Sequence, residues 1–200
     1  MRLAVIEACR ETVGAEVTHL VTRDTGRAVR AVIARELAAM ASGAVMTLDF
    51  QGVGIVDFSC ADECLAKLVT RLIAGEYGEK YLRLTGLGES QKENIQVALE
   101  RKRLPALLVD TDGSWHCLGT IAPLLRDTLS LVMARRRISA RELVGLLDLE
   151  LTTSSTRLAS LHRQRLLKRH ERPIGEGGRE FVYEGLVRAD RAEAGEPHGG

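Results

Sequence analysis

The chain has 200 residues, 45% of them hydrophobic, and its 28 Lys and Arg nearly balance its 27 Asp and Glu, for a formal net charge of +1. This length suits one medium domain or two small ones with packed cores. No apolar run reaches the roughly 18–20 residues that a membrane-spanning helix needs, and acidic residues appear too early for a secretory signal, so we expect no membrane segment.

Charge is distributed unevenly along the chain. Residues 1–119 carry 14 Lys and Arg against 16 Asp and Glu, a net charge of −2, whereas residues 120–172 carry 11 against 5, a net charge of +6. A basic segment behind a mildly acidic one predicts two units, the second with a polyanionic partner. We therefore assign residues 1–118 and 119–185 to two domains. Residues 186–200 are polar, with Gly, Pro and small residues, and predict a disordered tail.

The four cysteines, Cys9, Cys60, Cys64 and Cys117, predict reduced thiols in a cytoplasmic protein rather than a disulfide framework. Cys60 and Cys64 are one helical turn apart, a spacing that could hold a metal. No further His or Cys pair follows at ligand spacing, however. We expect buried thiols here, with no metal and no cofactor.

Strand-like and helical patterns alternate in the first domain. Strands are expected at residues 2–7, 16–22, 44–50 and 81–84, and a hairpin at residues 106–110 and 114–118 around an Asp-Gly turn. Helices are expected from Gly26 to Ser42, from Ala61 to Gly75, and after Ser90, which forms a capping-box pattern with Glu93. This order predicts a small α/β sandwich with helices packed against a mixed sheet.

One stretch of this domain resembles a known family. The run TLDFQGV at residues 47–53, followed by Asp57, Ser59 and CADE at residues 60–63, is similar to STAS-like domains related to anti-sigma-factor antagonists. The TRDTG of residues 22–26 also resembles the opening of that family's first helix. The resemblance implies a STAS-like regulatory interaction domain, often partnered by a histidine-kinase-like ATPase.

Three roles are open for Ser59. It lies where true antagonists carry a phosphorylated serine, so the resemblance implies a phosphorylation or partner site. The residues themselves favour a helix N-cap, with Asp62 three positions later. Asp57, Asp62 and Glu63 would surround a phosphate with negative charge, and no Lys or Arg lies within seven residues. A nucleophilic serine is disfavoured because no histidine lies in a recognisable catalytic signature, and we expect no enzyme.

The second domain begins with a predicted helix over residues 119–137, which ends in three consecutive arginines. A capping box of Ser139 and Glu142 then opens a short helix over residues 140–147. The chain turns at residues 148–151 before the next predicted helix.

That third helix is expected to begin at Thr152 or Thr153 as its cap and to run to about residue 168, before a hairpin with a Gly-Gly turn. This order resembles a winged helix-turn-helix domain. The runs STRLASL (155–161) and LLKR (166–169) are similar to that family's recognition helix and its exit, although the family usually has glycine where this chain has Arg165.

The topology and the positive charge together predict binding to double-stranded DNA. Hydroxyl, amide and guanidinium groups on the outer side of the third helix can reach base edges and phosphates, and hairpin arginines can meet the DNA backbone. The expected DNA contacts are Thr153, Ser155, Thr156, Arg157, Ser160, Arg163, Gln164, Arg172 and Arg179.

The sequence therefore predicts a cytoplasmic transcription regulator in which a STAS-like α/β domain senses a signal or a partner and a winged helix-turn-helix binds DNA. A homodimer is expected, with the helix over residues 119–137 as its seam. The alternative is a protein-interaction adaptor of the anti-sigma-antagonist type, whose winged helix docks protein rather than DNA.

Overall fold

The computed structural model of the chain describes residues 1–14, 16 and 18–187. These residues form a mixed α/β fold with one five-stranded and one three-stranded sheet. The elements up to residue 119 are β1 (Arg2–Ala4), α1 (Val5–Thr12), α2 (Arg23–Ala39), β2 (Val45–Asp49), α3 (Phe58–Ala61), a π-turn (Asp62–Ala66), α4 (Lys67–Ile73), β3 (Tyr81–Thr85), α5 (Glu89–Arg101), β4 (Pro105–Val109) and β5 (Trp115–Gly119).

The five-stranded sheet is mixed, as expected. Its strand order is β1-β2-β3-β4-β5; the first four strands are parallel and β5 pairs antiparallel with β4. The predicted hairpin is confirmed, with Asp112 and Gly113 at its turn. Strand β2 is buried along most of its length, which explains its continuous apolar run.

The helices α1–α5 cover one face of this sheet and form a shared core with it. Leu48 and Leu84 from the sheet and Ile33, Leu68 and Leu99 from the helices are all fully or almost fully buried. Side chains alternate along each strand, so the opposite face presents a different set of residues.

The structure corrects the elements predicted near the start of the chain. The strand expected over residues 2–7 ends at Ala4, because Val5, Ile6 and Cys9 lie on the buried side of helix α1. Where a strand was expected over residues 16–22, the described residues make one isolated bridge, from Leu20 to Val56. Helix α5 begins after Gly88, so the predicted Ser90–Glu93 cap is wrong; Gln91 instead accepts a hydrogen bond from the Gly88 N–H.

The remaining elements are α6 (Pro123–Arg135), β6 (Arg137–Ser139), α7 (Ala140–Leu147), α8 (Leu151–Arg163), β7 (Leu167–Ile174), a 3-10 turn (Gly175–Gly177) and β8 (Gly178–Gly185). The second sheet has the order β6-β8-β7, and both of its pairings are antiparallel. The predicted hairpin and the capping box of Ser139 and Glu142 are confirmed.

Two of the predicted helices are shorter than expected because the chain turns sharply where they end. The helix over residues 119–137 is only Pro123–Arg135, since Arg136 has a φ of 68° and the next residues pair with β8 as β6. Helix α8 ends at Arg163 instead of near residue 168, and Arg165 has a φ of 61°. A glycine would adopt this left-handed conformation without strain, which explains why the resembled family favours one here.

The two parts of the fold pack against each other. Tyr81 and Leu107, on the sheet face that α1–α5 leave uncovered, join a second core with Leu129 of α6 and Leu161 of α8. Leu186 and Val187, which the sequence assigns to a disordered tail, are buried in this core; residues 188–200 lie outside the described residues. Among the described helices, none combines the length and apolarity needed to cross a bilayer.

Candidate nucleic-acid interface

Helix α8 divides cleanly into a buried and an accessible side. Ser154, Leu158, Leu161 and His162 recur at helical spacing and are buried. The predicted contacts of this region lie on the other sides: Thr153, Ser155, Thr156 and Arg163 are exposed, and Arg157, Ser160 and Gln164 are half-buried.

The preceding helix, α7, begins with a well-formed cap. The Ser139 N–H donates to the Glu142 carboxylate at 2.6 Å, and the Glu142 N–H donates to the Ser139 hydroxyl at 3.3 Å. The first of these bonds lowers the pKa of Glu142. A left-handed turn at Asp148 (φ 49°) then redirects the chain into α8, which begins after Glu150 without a side-chain cap. Neither Thr152 nor Thr153 is the cap that the sequence predicts, since both lie inside the helix.

His162 anchors the buried side of α8. Its Nδ1 lies 3.1 Å from the Leu167 carbonyl oxygen and 3.5 Å from the Tyr81 hydroxyl, so it meets both β7 and the five-stranded sheet. Burial lowers the pKa of His162, which favours the neutral ring at pH 7. Its role is to position the helix.

The accessible side of α8 carries positive charge without a compensating acid. Helix α8 itself contains no Asp or Glu. Neither Arg157 nor Arg163 forms an ion pair with any residue that the structure describes. The hydroxyl of Thr156 donates to the Thr152 carbonyl at 2.8 Å, which leaves its lone pairs accessible to a partner.

The hairpin arginines Arg172 and Arg179, unlike those of α8, are paired with glutamates. Arg172 donates two hydrogen bonds to Glu180, at 2.6 and 3.0 Å, and Arg179 donates to Glu171 at 3.1 Å. Residues 167–185 contain four Lys or Arg and four Glu, so the hairpin has no net charge. The structure therefore brings the predicted contacts Arg172 and Arg179 together with glutamates that the DNA prediction left out. Arg172 and Glu180 face each other across β7 and β8, and this register is not contained in the sequence alone.

The Ser59 region also differs from its prediction. The N-cap of α3 is Asp57, whose Oδ1 accepts from the Cys60 N–H at 2.7 Å, and Ser59 lies within the first turn. The capping role predicted for Ser59 is therefore wrong. Asp62, its predicted partner, lies instead 3.6 Å from Arg23 and 3.3 Å from Lys102. These cations come from α2 and from the end of α5, far away in sequence.

Behind this turn lies a buried carboxylate, Glu63. Its side chain lies 3.1 Å from an Arg30 guanidinium nitrogen and 3.9 Å from Arg23 and Arg27, and it accepts a hydrogen bond from Lys67. That bond lowers the pKa of Glu63. The π-turn also directs the Glu63 carbonyl towards Arg30, which donates to it at 2.9 Å. This charge cluster ties α2 to the π-turn.

Chemistry based on cysteine or metal finds no support in this region. Cys9, Cys60 and Cys64 are buried free thiols. Burial raises the pKa of Cys60 to about 12 and of Cys9 to about 11, so neither is a thiolate near pH 7. Within the described part of the chain, no group of three His, Cys, Asp or Glu side chains is arranged to hold a metal ion.

Comparison of the chain with protein-family models, with curated proteins and with solved structures gave no match.

Proposed function

We propose that this protein is a DNA-binding transcription regulator whose C-terminal part is a winged helix-turn-helix with α8 as the recognition helix. The observation that carries the proposal is the accessible face of α8, where hydroxyl and amide groups flank two arginines that have no acidic partner among the described residues. The element order from α6 to β8 and the sheet order β6-β8-β7 support it, because a winged helix is expected to have helices followed by a hairpin in this order.

The chemistry of the α8 face suits a duplex. Arginine recognises guanine edges and phosphates through paired hydrogen bonds, while serine, threonine and glutamine bond to base edges or phosphate oxygens. No carboxylate of α8 would oppose the phosphates. Arg157 and Arg163 are six residues apart on the helix, so they would reach different phosphates or one phosphate and one base edge.

In this proposal, the first part of the chain is a STAS-like sensing domain, and two copies of the chain bind DNA together. Helix α6 is the proposed seam because Leu124 is 58% exposed near its start and Leu131, seven residues later, is only half-buried. A two-fold dimer would present two α8 helices to two half-sites of one operator.

The test is a fluorescence-anisotropy titration of the full chain with labelled duplex DNA at about 50 and 200 mM salt. We expect saturable binding at the lower salt and a loss of affinity at the higher, because phosphate contacts release counterions. Absence of binding at about 50 mM salt, where these contacts are strongest, would remove the DNA proposal.

The second candidate is a protein-interaction adaptor that partners a histidine-kinase-like ATPase. The charge-neutral hairpin favours it, because a wing whose arginines already face glutamates resembles a protein-docking surface more than a phosphate-binding one. Here Ser59 is the proposed switch. Lys102 and Arg23, which pair with Asp62 on the same helical stretch, supply the nearby cations that the local sequence lacks.

That candidate has its own test. Ser59→Asp should change binding to a co-purified kinase-like partner while Ser59→Ala does not, as expected of a phosphate switch. Equal effects of the two substitutions would argue against the switch.

A further inference from the structure

The five-stranded sheet has a polar half on the face turned away from α1–α5. The strand register places Arg2 of β1 beside Thr47 of β2, and Thr47 beside Arg83 of β3. The same row continues with Leu107 of β4, which belongs to the second core. One row of side chains is therefore apolar at Leu107, inside the second core, and basic at Arg2 and Arg83.

Two adjoining cavities lie over this basic half. One has a volume of about 480 Å³ and reaches Lys168, Glu184 and Leu186. The other has a volume of about 350 Å³ and extends to the carboxyl ends of β3 and β4, at Thr85 and Asp110. Arg2, Thr47 and Arg83 line both cavities, so the two adjoin along this row; together they are hereafter called the sheet groove.

The two arginines of the sheet groove are held in fixed orientations. Arg2 donates from Nε and Nη2 to Asp49, at 3.0 and 2.7 Å. Arg83 donates from Nε to the Thr47 hydroxyl at 2.8 Å and from Nη1 to the Leu186 carbonyl at 3.2 Å. A guanidinium already fixed in place loses little side-chain freedom when it binds an anion.

The charge of the groove favours an anionic ligand. Arg2, Arg83 and Lys168 line it, against Glu184 and Asp110, and Arg2 is paired with Asp49. Glu184 is already bound by Arg137 at 2.8 and 3.0 Å, and Asp110 lies 3.2 Å from His116. A volume of several hundred Å³ suits a small metabolite rather than a macromolecule. Planar guanidinium groups recognise phosphate through paired hydrogen bonds.

We propose that the sheet groove binds a small phosphate-bearing metabolite, with its phosphate against Arg83 and Arg2. The Thr47 hydroxyl and Lys168 add a donor and a second cation along the wall. The remainder of the ligand lies towards the carboxyl ends of β3 and β4, the edge where open α/β sheets bind ligands.

A ligand in this groove would touch both parts of the fold. Lys168 belongs to β7, and Leu186 follows β8, so the groove reaches the base of the hairpin next to α8. Because the Arg83 guanidinium also donates to the Leu186 carbonyl, a phosphate bound to it would be linked directly to the point where the hairpin is attached to the sheet. This coupling makes the groove the effector site of the regulator, and that role rests on the proposed DNA-binding function. The binding of the metabolite does not rest on it.

The binding test uses the full chain without DNA. Isothermal titration calorimetry with glycerol 3-phosphate, inorganic phosphate and succinate separates a phosphate ester from a free phosphate and from a dicarboxylate. We expect saturable binding of glycerol 3-phosphate, and an affinity at least about tenfold lower for Arg83→Met, which loses the charge-assisted bonds. The matched control is Arg71→Met, an arginine paired with Glu76 outside the groove, which should bind as the unchanged chain does.

Lys168→Gln keeps the proposal testable if Arg83→Met does not fold, because it should also weaken glycerol 3-phosphate binding. Three results of the calorimetry would overturn the proposal: no saturable binding of either phosphate probe, binding of succinate alone, or equal affinity in both groove variants and the control. A loss of DNA affinity in Arg83→Met as large as in Arg157→Ala would also overturn it, by assigning the groove to the DNA surface. Since the calorimetry omits DNA, failure of the DNA proposal leaves its result intact.

Discussion

Arginines serve opposite purposes in two regions of this molecule. Along α2, Arg23, Arg27 and Arg30 converge on the buried Glu63, so their charge is used within the protein. On α8, Arg157 and Arg163 have no acidic partner among the described residues. The comparison teaches that a count of basic residues says little about binding to a polyanion. What matters is which cations already have an anionic partner within the protein. The largest effects on stability should therefore come from the α2 region, and the largest effects on DNA affinity should come from α8.

The largest effect is expected at Glu63. Glu63→Ala should lower the free energy of unfolding by about 3 kcal/mol, the low end of the loss when one partner of a buried ion pair is removed. The low end applies because Arg23 and Arg27 are more than half exposed, and only Arg30 is left unpaired in a buried site. Urea unfolding measures the change.

Glu76→Ala is the matched control for Glu63→Ala, since Glu76 pairs with Arg71 at 2.8 Å and both side chains are about half exposed. It should cost no more than about 0.5 kcal/mol. Equal losses in the two variants would show that the Glu63 cluster is no different from a surface pair.

The pH dependence of stability follows from the lowered pKa of Glu63. A carboxylate with a pKa lowered by folding contributes its full stability above its unfolded pKa, about 4.3, and loses that contribution as the pH falls through its folded pKa. We expect acid to destabilise the unchanged chain more steeply below about pH 4.3 than it destabilises Glu63→Gln. Parallel curves would mean that Glu63 does not gain its charge stabilisation from the fold.

The second-largest effect is expected on α8. The double substitution Arg157→Ala, Arg163→Ala should weaken DNA binding by about 10- to 100-fold at low salt, because two contacts to phosphates or bases are lost. The salt dependence should fall by about one unit of slope for each phosphate contact removed. Unfolding free energy should stay nearly unchanged, because neither arginine has an internal ion-pair partner among the described residues. Unchanged DNA affinity would remove α8 from the interface.

Features set by short stretches of sequence were predicted well. The Asp-Gly hairpin, the helix from Ala140 to Leu147 and its capping box all depend on residues within a few positions of each other. The accessible face of α8 also followed from helical periodicity. Here local propensity and burial pattern agree, which is the condition under which a single sequence is informative.

Features that depend on distant partners were missed. Strand β6 is only three residues long and exists because it pairs with β8, more than forty positions later. The cations around Asp62 come from α2 and α5. The glutamates that neutralise the hairpin arginines were present in the sequence, but their pairing depends on the register of β7 and β8. A single sequence contains no direct information on such pairings.

A smaller effect is expected at the start of α3, beside the Glu63 cluster. Asp57→Ala should cost about 1 kcal/mol, because it removes the cap that accepts the Cys60 N–H. Ser59→Ala should change stability by less than about 0.5 kcal/mol, since Ser59 lies inside the first turn. Thermal or urea unfolding compares them. The reverse ranking would restore Ser59 as the cap and contradict the geometry of this turn.

The smallest effect is expected in the hairpin, which lies between the two extremes of the comparison. The double substitution Arg172→Ala, Arg179→Ala should weaken DNA binding by less than about threefold, because each arginine would have to give up a glutamate to gain a phosphate, and such an exchange of partners contributes little net free energy. Titration at the same low salt as for the α8 variant provides the direct contrast. If the hairpin variant lost as much affinity as the α8 variant, Glu171 and Glu180 would have to release their arginines to the phosphates. In that case, substituting both glutamates with glutamine should tighten DNA binding. If the hairpin does not contact DNA, the same substitution should leave the salt slope unchanged and should raise the affinity only slightly, through the loss of negative charge.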